Sequence, residues 1–255
     1  MRRAGVWLAL IAAAAMTAPL LAPYAPDALD LAHRRAAPSF AHWFGTDDLG
    51  RDVFSRALFG GRVSIAIGLL SATVAAGLGV AVGAAAGYLG GWTDTLLMRG
   101  TDAVLSVPRL LLLMVAAATL QPSVPALVII VGAVGWMETA RVTRAAVRSL
   151  LASEFVVAAR AAGAGHLRIL SRQLLANASG AIRVAAVLAV GRGILVESAL
   201  SFFGVGVQPP SASWGSMLYQ AQSAMTTEPW LALFPGACIV VTVGALTAVS
   251  DAADE

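Results

Sequence analysis

The chain contains no lysine: all 17 of its basic residues are arginine. A phosphate-cradling Walker A loop needs a lysine to reach the β- and γ-phosphates. This chain therefore carries no such ATP site, and any ATP-driven step requires a partner. A single cysteine, Cys238, excludes both an intramolecular disulfide framework and a zinc cluster of cysteines. His33, His42 and His166 are scattered, without HExxH or paired-ligand spacing, so no metal site is expected. There is no GxSxG either, which argues against an intramembrane serine protease. No cofactor and no catalytic residue are expected. Charge is also scarce, at 12% of residues against about 25% in soluble domains.

What the chain has instead is apolar length. Its 255 residues are 58% hydrophobic with a mean hydropathy of +0.80, so most of it must lie in something oily. A pI near 9.7 raises nucleic acid as a partner. However, the arginines fall between apolar runs rather than in a patch interleaved with aromatics, so no nucleic acid is expected. A bilayer core of about 30 Å needs roughly 20 apolar residues in a helix. Uncharged or nearly uncharged runs lie at 4–26, 63–93, 110–137, 184–207 and 229–250. The third is split by the turn-like QPSVP at 121–125 into the ends of two helices. The expected architecture is an all-α membrane protein with six transmembrane helices.

Arginine placement orients it. With the N-terminus inside, ten arginines fall in inner segments (Arg2, Arg3, Arg99, Arg141, Arg144, Arg148, Arg160, Arg168, Arg172, Arg183). Five fall outside (Arg34, Arg35, Arg51, Arg56, Arg62). The positive-inside rule then places both termini in the cytoplasm. The first run also resembles a secretory signal, with its basic start and alanine-rich tract. Its uncharged length favours a retained helix. The chain thus divides into a first transmembrane helix (1–26), an external segment (27–62) and a five-helix core (63–255).

Within the external segment, GTDDLGRDVFSR concentrates charge: five of the ten residues from Asp47 to Arg56 are ionisable. Thr46 or Asp47 can cap a short helix there. Asp47–Arg51 and Asp52–Arg56 are acid-before-base pairs at i, i+4, with Leu49, Val53, Ala57 and Leu58 opposite. This predicts an interfacial amphipathic helix. In the second span Ala75, Gly79, Gly83 and Gly87 recur every fourth residue, a smooth face for close helix packing.

Residues 141–183 carry seven arginines and one acid, Glu154. Ser153 can cap a helix through Ala162, which Gly163 and Gly165 break. A second short helix carries Leu167, Leu170, Leu174 and Leu175. Two short helices about a glycine bend form a compact knuckle that docks on another protein. In the fifth span Glu197 either lines a substrate path or is a satisfied structural charge, and Arg192 is too far along the helix to pair with it. Arg109 follows Pro108 and is expected to snorkel to the inner interface.

Here the chain resembles a known family. SEFVVAARAAGAGHLRILSRQLLAN is similar to the EAA loop of ABC-importer permeases. Ala158, Ala159 and Gly163 match its A-A-x-x-x-G core, and Glu154, Arg160 and Asn177 match the wider pattern of the peptide/nickel subfamily. Val157 and Ala176 stand where that pattern has glutamate and proline. GTDDLGRDVFSR, YLGGWTD from Tyr88, LSFFGVGVQPP at 200–210 and SWGSML at 213–218 match further motifs in the same order. The resemblance implies a type I importer-like bundle with a cytoplasmic coupling loop at about 150–178, contacting the ATPase through Glu154, Ala158, Ala159, Arg160, Gly163 and Leu167. It also implies a second permease subunit, two ATP-hydrolysing subunits and an extracytoplasmic substrate-binding protein, in a bacterial inner membrane. Di- or oligopeptides are the implied cargo, with nickel as the alternative. An ion-coupled secondary transporter would place more charge near mid-membrane.

Overall fold

A computed structural model describes residues 2–120 and 123–254. Among them the chain is helical, with one isolated bridge between Thr46 and Asp52 and no strand. It opens with α1 (Arg2–Met16) and α2 (Ala18–Leu21), separated at Thr17. Pro19 has no amide hydrogen to continue the ladder across that joint. A long loop, with one 3₁₀ turn at Leu31–His33, leads to α3 (Val53–Leu89). Then come α4 (Gly91–Leu105), α5 (Arg109–Thr119) and α6 (Val124–Leu150). The short α7 (Glu154–Ala161) precedes α8 (His166–Arg168), a π-helical turn (Ile169–Leu174) and α9 (Leu175–Phe202). Finally α10 (Trp214–Ala221) and α11 (Trp230–Asp254) close the chain.

Four helices are individually long and apolar enough to cross a bilayer: Val53–Leu89, Val124–Leu150, His166–Phe202 and Trp230–Ala252. The pair α4–α5, bent by 82°, makes a fifth candidate. The six expected spans therefore correspond to four or five helices of spanning length. The shortfall arises at prolines. Pro108 interrupts the third candidate, and α1 ends before Pro19. Of the QPSVP turn, Gln121 and Pro122 lie outside the described residues. Ser123 follows and caps α6 by accepting from Ala126 N at 3.3 Å.

At the centre α3 lies against α6 along most of its length, and α9 packs on both. The small-residue face of α3 makes this possible. A Cβ on Gly83 would stand 2.3 Å from the Ala140 carbonyl oxygen, so only a hydrogen fits. Ile67, Leu113, Leu127, Ile130, Val131 and Leu200 fill the core where α3, α5, α6 and α9 meet. The bundle has two distinct ends. One carries the 151–165 loop beside the arginines of α6, the other the 22–52 loop with α10.

Candidate functional site

At the basic end, the backbone of Ser153 is extended and α7 begins at Glu154. The Ser153 side chain makes no capping bond; its carbonyl accepts from Val156 N at 3.0 Å instead. The helix stops at Gly163, whose φ of +79° lies in the left-handed region. Gly163 N donates to Arg160 O at 2.9 Å and Ala164 N to Ala159 O at 3.0 Å, the paired bonds of a Schellman stop. The glycine bend expected from sequence is therefore in place. The second short helix is not separate, however. From His166 it continues through the π turn into the membrane-length helix ending at Phe202, because no proline or glycine interrupts 166–179.

Val156, Ile169 and Leu174 are fully or almost fully buried with Val147, joined by Tyr88 and Leu150. The Tyr88 hydroxyl hydrogen-bonds His166 Nδ1 at 2.7 Å, so YLGGWTD braces the knuckle. Outward, the surface is apolar: Phe155 is 37%, Val157 57% and Leu167 79% exposed. Glu154, Ala158, Arg160 and Gly163 are also exposed, and Ala159 is half-buried. The bend thus brings all six expected contact residues onto one projecting element.

The arginines of α6 have partners that the sequence did not reveal. Arg144 Nη2 and Arg148 Nη1 donate to Asp94 Oδ2 at 2.6 and 2.9 Å, and Arg141 pairs with Asp102. Three of the seven loop-region arginines therefore clamp α4 to α6 rather than facing only solvent.

At the opposite end, the charged motif is a buried loop and not an amphipathic helix. Helix α3 starts only at Val53, capped by Asp52, whose Oδ2 accepts from Ser55 N at 2.7 Å. Asp47 accepts from Leu49 N and Arg51 N (2.9 and 3.0 Å) and from Arg51 Nε at 2.7 Å. Arg56 is 1% exposed and donates to Pro26 O, and both Arg51 and Arg56 reach Gln220 Oε1 at 3.3 Å. The Asp47–Arg51 pair exists, but Asp52 bonds His42 Nδ1 at 2.9 Å rather than Arg56. The two arginines find partners on α10 and the 22–27 turn, and Asp47 and Asp52 are held within residues 42–55. An exposed helix face would have left them to water.

Further along α3 lies Glu197 of α9, with no exposed surface. Ser64 Oγ donates to its Oε2 at 3.0 Å and Ser201 Oγ to its Oε1 at 2.7 Å. These serines are tied in turn: Ser64 accepts from Trp214 N at 3.1 Å and Ser201 from Val207 N at 3.0 Å. Trp214 Nε1 donates to Ala57 O at 2.9 Å. A Cβ on Gly215 would lie 2.5 Å from Ser198 Cα, so α10 sits directly on α9. Two matched motifs, LSFFGVGVQPP and SWGSML, thus converge on one carboxyl group. Of its two readings, burial favours a structural charge. Arg192 pairs with Glu138 instead, and Arg109 Nη1 lies 3.7 Å from the same carboxylate.

Known proteins match this chain in sequence. The model for binding-protein-dependent transport system inner membrane components matches residues 79–255. A Brucella suis protein with the name of a peptide permease is 39% identical over 240 residues, 93% of this chain and 80% of the relative. The oligopeptide transport system permease protein OppC of Bacillus subtilis is 37% identical over 244 residues, 96% of this chain and 80% of its own. The dipeptide transport system permease protein DppC of Alkalihalophilus pseudofirmus is 38% identical over 237 residues, 93% and 78% respectively. The chain is a multi-pass membrane protein and belongs to the family of binding-protein-dependent transport system inner membrane components.

Proposed function

We propose that this chain is the permease subunit of an ATP-driven importer for di- or oligopeptides. It forms the translocation path with a second permease and takes cargo from an extracytoplasmic binding protein. Two separate ATPases drive it from the cytoplasmic side, where both termini lie. The relatives' names supply the cargo class. The observation that carries the mechanism is the knuckle: exposed Phe155, Val157 and Leu167 on a rigid, basic projection in a chain without a lysine. An apolar tip with Arg160 and Arg168 exposed beside it fits a cleft on a soluble partner.

Movement of that tip reaches the bundle through two rigid connections. Helix α9 continues unbroken from the knuckle to Phe202, and Tyr88 ties the knuckle to α3. A push at Gly163 therefore rotates whole helices, a rigid-body readout of nucleotide state. At the far end Glu197, Ser64 and Ser201 join α9 to α3 and α10, so the outer cap moves with them.

The test uses the assembled importer in a Cys238→Ser background, with single cysteines placed at Val157 or Leu167. Both should cross-link to an ATPase subunit, and the isolated chain should hydrolyse no ATP. Gly163→Trp should leave the complex in the membrane with uptake strongly reduced. No Cβ clash within the chain opposes the tryptophan; left-handed backbone strain and the partner's surface do. Cross-links absent from both positions, with Gly163→Trp transporting normally, would defeat the assignment of the knuckle.

A further inference from the structure

Arg109, Glu138 and Arg192 come from three different helices, α5, α6 and α9. Glu138 lies three residues before Arg141 on α6, about 5 Å along the axis, so the cluster sits towards the inner end of the span. The cluster holds two guanidinium groups and one carboxylate, a net charge of +1. Helix α3, which completes the surround, contributes Ser71 and no charge; Ser71, Gly135 and Gly193 line the recess into which both arginines face. Gly135 keeps that recess open: a Cβ there would stand 3.4 Å from Arg109 Nη2. Arg109 Nε is a buried donor with no acceptor among the described residues.

These side chains are not sealed in. Arg109 is 28%, Arg192 34% and Glu138 39% exposed on the single chain. Charged side chains facing lipid are costly and turn to a bundle interior, a water-filled cavity or a partner. The open side of the cluster must therefore face water or a companion chain. Glu138 can neutralise only one of the two guanidiniums, and a planar guanidinium with free donors is matched to a carboxylate.

Building on the peptide-importer reading, we propose that Arg109 and Arg192 form a carboxylate-binding subsite on the translocation path, with Glu138 as their internal counter-ion. A peptide presents that chemistry at its C-terminus or on an acidic side chain. Glu138 keeps the site only weakly cationic, so a carboxylate is held and released rather than trapped.

The test is uptake by the complete importer in proteoliposomes, with binding protein in excess. Three cargoes are compared: a neutral tripeptide with a free carboxylate, its C-terminal amide, and that amide bearing one glutamate. The binding protein is identical in every arm, so its own preference cancels when variants are compared with the parent. Arg109→Gln and Arg192→Gln should each lower the acid-to-amide uptake ratio by about threefold or more, as loss of one charge-assisted contact implies. Arg109→Lys, which keeps the charge and loses the planar fork, should retain only part of the ratio. If the glutamate amide follows the free acid, any carboxylate is read; if it follows the neutral amide, the terminus alone is read. A ratio unmoved by both glutamine variants, with all cargoes still imported, overturns the subsite and assigns the cluster to subunit packing. Failure of the parent importer to move any of the peptides refutes the peptide reading, and the subsite falls with it.

Discussion

Replacing Glu197 with alanine should unfasten the cap at the end of the bundle opposite the knuckle. The carboxyl group accepts from Ser64 and Ser201, and its removal leaves both hydroxyls without their acceptor in a region closed to water. An unsatisfied buried donor costs about 1–3 kcal/mol. Two of them, with the cavity left by the side chain, give a loss of about 3–5 kcal/mol. Glu197→Gln keeps the shape and one carbonyl acceptor, so its loss should be roughly half as large. The damage should appear locally, because Ser64 also holds Trp214 N and Ser201 holds Val207 N. Cys238 belongs to the apolar cluster containing Trp214, Ile194 and Ile239, and it is the chain's single thiol. It is therefore a built-in reporter. In a complex whose other subunits lack cysteine, a fluorogenic maleimide should label Cys238 many times faster in Glu197→Ala than in the parent. The thermal midpoint should fall by about 5 °C or more. Parental labelling rate and midpoint in Glu197→Ala would show that the serine network contributes nothing to the cap.

Gly83→Leu should disrupt the α3–α6 seam, where a Cβ alone would already stand 2.3 Å from backbone oxygen; overpacking of this kind costs about 1–3 kcal/mol or more, and reduced yield of folded complex in detergent measures it. Gly77→Leu, where no atom lies within 4 Å of the added Cβ, should be tolerated and serves as the control. Asp94→Asn should weaken the clamp between α4 and α6, since both Arg144 and Arg148 lose an ionic acceptor. The arginines are partly exposed, so the expected loss is about 1 kcal/mol. It should shrink when the thermal midpoint is measured in 1 M salt, where screening is stronger.

The parts legible in the sequence were those that depend on neighbours within a turn or two. Gly163 ends α7 because a residue without a Cβ takes the left-handed backbone of the stop at no steric cost, and the apolar tip at Phe155, Val157 and Leu167 follows from its own composition. The small face from Ala75 to Gly87 announced close packing, though not that Thr139, Ala140 and Thr143 of α6 would fill it. The amphipathic helix expected at 45–56 failed for the converse reason. Charges at i, i+4 describe a helix surface equally well as a loop whose ions are gathered by distant groups. Gly45 and Gly50, both with positive φ, were the local signal against a helix.

From the chain alone came the membrane, the lack of a Walker A lysine and the position of the glycine-bent knuckle. Length of apolar run, absence of lysine and placement of glycine do not depend on what lies opposite. Tertiary structure alone decided where the buried charges go. Glu197 is satisfied by Ser64, 133 residues away; Arg51 and Arg56 find Gln220; and Glu138 gathers Arg109 and Arg192 from two other helices. A buried charge must be paired wherever a partner can be found, and which helix brings that partner is set by packing, which no local pattern encodes.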